Sequence, residues 1–244
     1  MNAGAVDRGG VSVVIPTLNE EEPIGEVVRA VAATGIPGEI VVVDNGSSDA
    51  TAARAREAGA KVIAEPNRGY GRACAAGVRA LSAECKIVVF LDGDGSDCPE
   101  FMRQLVEPVA AGTHDFVIGS RTRGKREPGS MNFQQVLAGR AAGALLALLY
   151  GVRYTDMSPF RAIRRDVLER LGMREETYGW NLEMQMRVAR ARLRVLEIPV
   201  DHRCRTGGVS KVSGTLRGTL VAGARIITTL FRVAAEKKPQ MNTD

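Results

Sequence analysis

The stretch "KIVVFLDGDGSD", residues 86–97, decides how the chain is read. An apolar run rich in β-branched residues stops abruptly at two carboxylates, Asp92 and Asp94, with one glycine between them. Such a run has the composition of a strand buried on both faces, as in a parallel sheet covered by helices. Four more runs share that texture: "VSVVIP" (11–16), "EIVVVD" (39–44), "AKVIAEP" (60–66) and "FVIGS" (116–120). Helical patterns lie between them. Ile24, Val27, Val28 and Val31 repeat at i, i+3, i+4 and i+7, with Glu20–Glu22 and Pro23 at the start and Gly35 past the end. Segments 50–58, 70–81 and 99–111 read the same way. Alternating strand and helix at this spacing predicts a doubly wound α/β domain over about the first 120 residues. In such sheets ligands bind beyond the carboxyl ends of the strands, where Asp44, Asp92 and Ser120 emerge.

The second half differs. A basic Gly/Pro-bearing loop at 119–130 precedes a strongly apolar helix over 133–150, a helix at 180–191, a strand "RVLEIPV" and a Gly-rich basic loop "RTGGVSK" (205–211). A last helical pattern at 213–235 sets Leu216, Leu220, Ile227, Leu230 and Phe231 along one side and Arg217, Arg225 and Arg232 along another. We therefore expect a short N-terminal lead (1–10), one catalytic unit (11–212) and a C-terminal amphipathic helix with its tail (213–244).

Composition narrows the partners. A formal net charge of +5 over 244 residues, with aromatics at 5%, argues against a nucleic-acid surface. Anionic small ligands or an anionic membrane surface fit better. Cys74, Cys85, Cys98 and Cys204 form no CxxC pair, and His114 and His202 lack metal-ligand spacing, so neither a disulfide framework nor a zinc site is signalled. The first residues have no signal-peptide character, and the longest apolar stretch, 141–152, is shorter than the ~20 residues a spanning helix needs. A cytoplasmic protein, at most peripheral at the cytoplasmic face of the membrane, is expected.

A bare Asp-Gly-Asp after a strand is as readily a turn as a site. At the ligand-binding end of an α/β sheet, a divalent cation accounts for it: Mg2+ or Mn2+ takes hard oxygen ligands, cancels the carboxylate repulsion and lets a ligand's phosphates complete its shell. The local string "VVFLDGDGS" also resembles the opening motif of haloacid-dehalogenase-type phosphatases, whose first Asp is a nucleophile. That family begins with the motif and has an acidic pair downstream, whereas this chain sets two βα units before it and shows no such pair.

Taken together, "VSVVIPTLNEEEPI", "IVVVDNGSSDAT", "NRGYGRACAAG", "IVVFLDGDGSD", "GSR", "DMSPFRAIRRDVL" and "EIPVDHRCRTGGVSKV" resemble family 2 glycosyltransferases of the GT-A fold. More narrowly, the chain is similar to the branch holding dolichyl-phosphate mannosyltransferases and bacterial polyprenyl-phosphate glycosyltransferases. The resemblance implies a Rossmann-like, mostly parallel sheet and a metal-dependent, inverting transfer of a hexose-type sugar from a nucleotide-diphosphate sugar to a polyprenyl phosphate.

By that resemblance Pro16, Thr17, Asn19 and Glu20 bind the nucleoside, and Asp44 and Asn45 match the acidic pair that reads base and ribose. Asn45 stands where the family more often has Asp. A carboxamide offers one donor and one acceptor, which suits the edge of uracil better than that of guanine, so UDP is favoured over GDP. Gly71 and Arg72 open a helix beside the donor, and Asp92 and Asp94 hold the metal. Arg205, Ser210 and Lys211 resemble a lid that neutralises the diphosphate leaving group. Arg121 and Arg140 resemble cations that receive the acceptor phosphate, with Arg123, Lys125 and Arg126 competing for the role of Arg121.

Two acidic residues stay open between catalysis and structure. Asp156 and Glu183 are the candidate bases if the acceptor is a soluble or glycan hydroxyl. If the acceptor is a lipid phosphate, already ionised, both become structural, Glu183 through an i, i+4 ion pair to Arg187. A non-catalytic sugar-nucleotide sensor is the remaining alternative.

Overall fold

The computed structural model describes residues 10–207 together with residues 228, 229, 232, 233 and 236. Five strands fall where the apolar runs predict: β1 (Val11–Thr17), β2 (Glu39–Asp44), β3 (Lys61–Ala64), β4 (Ile87–Phe90) and β5 (Phe116–Ser120). They are joined by α1 (Ile24–Ala33), α2 (Thr51–Glu57), α3 (Tyr70–Arg79) and α4 (Met102–Ala110), the last entered through a 3-10 turn at Pro99–Phe101. The remaining elements are α5 (Phe133–Tyr150), β6 (Arg161–Arg164), α6 (Arg165–Leu171), α7 (Trp180–Arg190) and β7 (Val195–Pro199).

The seven strands form one sheet in the order β3-β2-β1-β4-β6-β5-β7. All pairings are parallel except those of β6, which runs antiparallel between β4 and β5. Neither β6 nor α6 is predicted from the sequence, because "RAIR" begins and ends in arginine and has no apolar run. Arg161 is nonetheless fully buried. Its guanidinium lies 5.8 Å from the Phe116 ring centroid and donates from Nε to the Ser158 carbonyl and from Nη1 to the Asn181 carbonyl, each at 3.0 Å. These bonds let a cation replace an apolar residue in a central strand. The expectation of burial on both faces fails for β3, an edge strand whose ends are exposed.

Side chains alternate across the sheet into two cores. Val13, Ile15 and Val89 pack with α1 and α4 on one face, and Val14, Val88 and Phe90 pack with α3, α5 and α7 on the other. Close approach on the second face depends on small residues. A Cβ on Gly77 would lie 2.4 Å from Val14, and one on Gly143 only 1.8 Å from the Tyr154 carbonyl. α5 is held at both ends: an Asn132–Gln135 capping box closes its start, and Gly151, at φ 73°, closes its end in the left-handed region.

Of the predicted C-terminal helix, most residues, including Arg217 and Arg225, lie outside the described residues. Of those described, Thr229 and Val233 turn toward the protein. Val233 is buried, the Thr229 hydroxyl donates to Glu175, and Arg232 bridges Glu175 (3.1 Å) and Glu183 (3.2 Å). Arg232 is thus tied to two buried carboxylates of the protein, a role that the ridge reading of that arginine did not include. Among the described residues no helix is long and apolar enough to cross a membrane.

Candidate active site

The parallel strands deliver their carboxyl ends to one rim, and the Asp92-Gly93-Asp94 turn crosses that rim beside the end of β1. Gly93 makes this crossing possible, since a Cβ there would lie 2.6 Å from the Thr17 methyl. Asp92 Oδ1 accepts the Tyr70 hydroxyl at 3.0 Å. Asp94 Oδ1 accepts the Ser96 amide and hydroxyl at 3.0 and 2.6 Å, an Asx-type turn that fixes its orientation.

A third carboxylate, Asp97, is buried behind the pair, where its Oδ2 accepts the Asp92 amide at 3.0 Å. Burial, reinforced by the charges of Asp97 and Asp94, pushes Asp92 well above the usual carboxylate range. Burial likewise lifts Asp97 to about 7. Arg121 answers this acidity from the opposite side. Its Nε and Nη2 form a bidentate pair with Asp156 at 2.8 Å each, and its amide also donates to Asp156 at 2.9 Å. Burial opposes the charge of Arg121, but Asp156, Asp97 and Asp92 hold it above its ordinary value. Asp156 is held below the usual range: burial raises it, and the Arg121 charge and hydrogen bonds outweigh that.

These residues form one oxygen-rich cluster short of cations. Among the described residues no three His, Cys, Asp or Glu side chains form a complete cage. Two carboxylates without a full cage suit a hard divalent ion that takes its other ligands from phosphates and water.

The segment after β7 lies along this turn. Arg203 N donates to the Ser96 carbonyl and Thr206 N to the Asp94 carbonyl, both at 3.0 Å. His202 is buried between them, its Nδ1 without a hydrogen bond and 4.0 Å from Asp97. Burial, then the nearby Arg121 charge, brings it down to about 4, so it is neutral at pH 7. Arg205 Nη2 reaches back to both oxygens of Glu20 at 2.8 and 3.0 Å. Ser210 and Lys211 lie outside the described residues.

Several predicted contacts prove to be the protein's own. Asn45 is buried, and its carboxamide donates to the Glu65 and Asn67 carbonyls at 2.9 and 2.8 Å and accepts the Gly69 amide at 2.7 Å. It is engaged in holding the loop before α3, which removes the argument that it reads uracil. Asn45→Asp is therefore expected to cost about 1 to 3 kcal/mol, by turning a carboxylate on two carbonyls, and to leave the ratio of UDP to GDP affinity unchanged. Thermal unfolding and calorimetry with both nucleotides check the two halves.

Gly71 sits where a Cβ would fall 2.0 Å from the Glu175 carbonyl, so it is needed for packing. Arg72 pairs with Glu176 beside a cavity of about 450 Å³ that Trp180 and Arg174 also line. Thr17 Oγ1 donates to the Val43 carbonyl, Pro16 pairs with Val43 in the sheet, and Asn19 and Asp44 accept the amides of Ser48 and Ser47. Together these tie the carboxyl end of β1 to that of β2.

Glu183 is fully buried in α7. It accepts the amides of Arg174 and Glu175 and pairs with Arg187 and Arg232. Arg140 is exposed on α5, one residue after Gly139, which faces Asp156. Of the competitors, Arg123 reaches the Glu197 carbonyl, and Lys125 and Arg126 are exposed. Tyr70, Asp97 and His202 were not singled out from sequence as part of the site. Asp97 alone had a signal, as the third acid of "DGDGSD".

Residues 12–172 match the model of the family "Glycosyl transferase family 2". An uncharacterized glycosyltransferase of Mycobacterium tuberculosis is 38% identical over 216 residues, spanning 87% of this chain and 94% of the relative. The chain belongs to glycosyl transferase family 2. It is a glycosyltransferase, and the phosphatase and sensor readings fall away. The polyprenol monophosphomannose synthase of Mycolicibacterium smegmatis is 32% identical over 218 residues, 83% of this chain and 81% of that one. Among solved structures, glucosyl-3-phosphoglycerate synthase from M. tuberculosis in complex with Mn2+ and UDP-glucose superposes with a TM-score of 0.71 at 25% identity. It covers 97% of this chain and 84% of that one. The sheet and its flanking helices are those of GT-A glycosyltransferases.

Proposed function

We propose that this glycosyltransferase moves a hexose-type sugar from a nucleotide-diphosphate sugar to a polyprenyl phosphate, with inversion at the anomeric carbon. The observation that carries the acceptor is the state of the two candidate bases. Asp156 is locked in a bidentate pair with Arg121, and Glu183 is enclosed by two arginines and two amides. A hydroxyl acceptor must lose a proton to a base. A phosphate is already ionised and needs only to be positioned. The relatives' names point the same way in part: one is a polyprenol monophosphomannose synthase and another an undecaprenyl-phosphate mannosyltransferase.

Asp92 and Asp94 would hold Mg2+ or Mn2+, which when bound supplies positive charge to the departing diphosphate. Tyr70 and Ser96 orient the two carboxylates. The paired strand ends that carry Pro16, Thr17, Asn19, Glu20 and Asp44 take the nucleoside. Arg121, at the rim, draws the acceptor phosphate toward the anomeric carbon, with Arg140 nearby on α5. A phosphate oxygen then forms the new bond to that carbon as the bond to the donor's β-phosphate oxygen breaks, its electron pair leaving on the diphosphate. Arg205 is poised to exchange Glu20 for that leaving group, with Ser210 and Lys211 in the same loop. UDP is the favoured nucleotide, supported now by the UDP-glucose complex of the solved relative and not by Asn45.

A second reading keeps the donor and gives a soluble phosphorylated acceptor, because glucosyl-3-phosphoglycerate synthase has been solved with phosphoglyceric acid bound. One panel separates the two. Purified protein with Mn2+ is incubated with UDP- and GDP-sugars and either a short polyprenyl phosphate, 3-phosphoglycerate or a free sugar, and products are identified by mass and anomeric configuration. Glycosyl transfer to the polyprenyl phosphate with inverted configuration is expected. Transfer only to 3-phosphoglycerate or to a free sugar would overturn the lipid acceptor, and retained configuration would overturn the in-line displacement.

A further inference from the structure

α5 carries apolar residues nearly all round its surface, a composition proper to a buried helix, yet among the described residues only one side of it is covered. Gly139, Ala142, Gly143 and Leu146 pack inward against the 154–156 segment and α7. On the opposite side Phe133, Leu137, Ala141, Ala144 and Leu148 follow the spacing i, i+4, i+8, i+11 and i+15, one continuous stripe. Phe133 is 79% exposed and Leu148 82%. At about 1.5 Å per residue the stripe is roughly 20 Å long.

Charge is concentrated around it. Residues 121–153 hold six arginines and lysines against one glutamate, an excess equal to the +5 net charge of the entire chain. Lys125, Arg126, Arg140 and Arg153 among them are exposed. Arg140 lies at the border of the stripe on the same helix.

We propose that this face of α5, flanked by the basic loop at 121–126, docks on an anionic membrane surface. The apolar stripe enters the headgroup boundary while the cations remain with anionic lipid. A second copy of the chain fits less well, because a twofold contact would bring the exposed cations Lys125, Arg126, Arg140 and Arg153 of one copy toward the same cations of the other. Membrane docking also matches the position of the site. α5 lies directly over Asp156, with the Gly139 Cβ position 3.7 Å from its Oδ1, so the helix separates Arg121–Asp156 from the bilayer by about one helix diameter, ~10 Å. The inference deepens the lipid-phosphate reading and places the membrane contact on α5 instead of the C-terminal helix.

The test needs neither donor nor acceptor. Full-length protein is sedimented with phosphatidylcholine vesicles, with and without phosphatidylglycerol, at low and high salt. Binding to the anionic vesicles that weakens in salt is expected. Leu137→Glu combined with Leu148→Glu should lower it by about tenfold or more, and Lys125→Glu combined with Arg126→Glu should remove its salt dependence, with the melting temperature of both variants near that of the parent. The proposal is overturned by absence of vesicle binding, by equal binding of the leucine variant, or by a dimer in light scattering that the leucine variant dissociates. Turnover of a water-soluble short polyprenyl phosphate reports separately on the acceptor, since it requires no bilayer.

Discussion

Replacing Asp94 by Ala is expected to lower kcat/KM by about three orders of magnitude, or ~4 kcal/mol of transition-state stabilisation. Its Oδ1 is already occupied by Ser96, so the second oxygen is the one offered to a cation. Chelation of the parent enzyme should produce a loss of the same size, and chelation of the variant little more, because both act on one interaction. Asp92→Asn should cost activity comparably while making the protein more stable. The asparagine keeps an acceptor for the Tyr70 hydroxyl but removes one of three clustered negative charges. The sign follows from the raised folded-state pKa of Asp92. Such a group contributes stability that is complete below its unfolded pKa near 4 and is lost as pH rises through its folded value. The difference in melting temperature between Asp92→Asn and the metal-free parent should therefore widen in favour of the variant as pH rises above about 4. Each 1 kcal/mol of relieved repulsion corresponds to about 2 to 4 °C. Turnover at the parent's level by the chelated Asp94→Ala variant would end the metal-dependent reading.

Arg121→Ala is expected to be damaging in both respects. It leaves Asp156 buried without its partner, at a cost of about 3 to 5 kcal/mol of stability, and removes the cation proposed to hold the acceptor phosphate. Arg121→Lys separates the effects. A lysine retains the charge and part of the stability but cannot form the bidentate fork, so the acceptor KM should rise by about tenfold or more while nucleotide affinity stays unchanged. Asp156→Asn provides the complementary control. If Asp156 were a general base, kcat would fall by about 100- to 10,000-fold and the acid limb of the pH profile would vanish. With a phosphate acceptor, that limb should persist and the main loss should be in acceptor KM.

Parts of the site that could be read in sequence and parts that could not differ in a physical way. Asp92 and Asp94 are visible because an apolar strand followed by two acids is an unusual local pattern, and the strand positions them wherever the sheet ends. Asn45 and Gly71 sit in equally suggestive motifs, yet their atoms meet the protein's own backbone, at Glu65 and Asn67 for one and Glu175 for the other. Motif spacing cannot distinguish a side chain aimed into the cleft from one turned to hold the loop that frames it. Tyr70 and His202 were missed for the converse reason. They reach the acidic turn from 22 residues before Asp92 and about 100 after it, and no local pattern marks a residue whose partner is that distant.

By itself the sequence determined the parallel βα order, the rim on which such sheets bind ligands and the acidic turn, which follow from short-range periodicity and strand-end chemistry, and the family, which follows from the resemblance of its motifs. Only the tertiary structure decided that β6 runs antiparallel through the centre with a buried arginine, that Asp156 and Glu183 are engaged with arginines, and that the described residues leave one side of α5 open. Each of these depends on which distant groups satisfy a buried charge or cover an apolar surface, and such pairings are set by the packing of the whole chain.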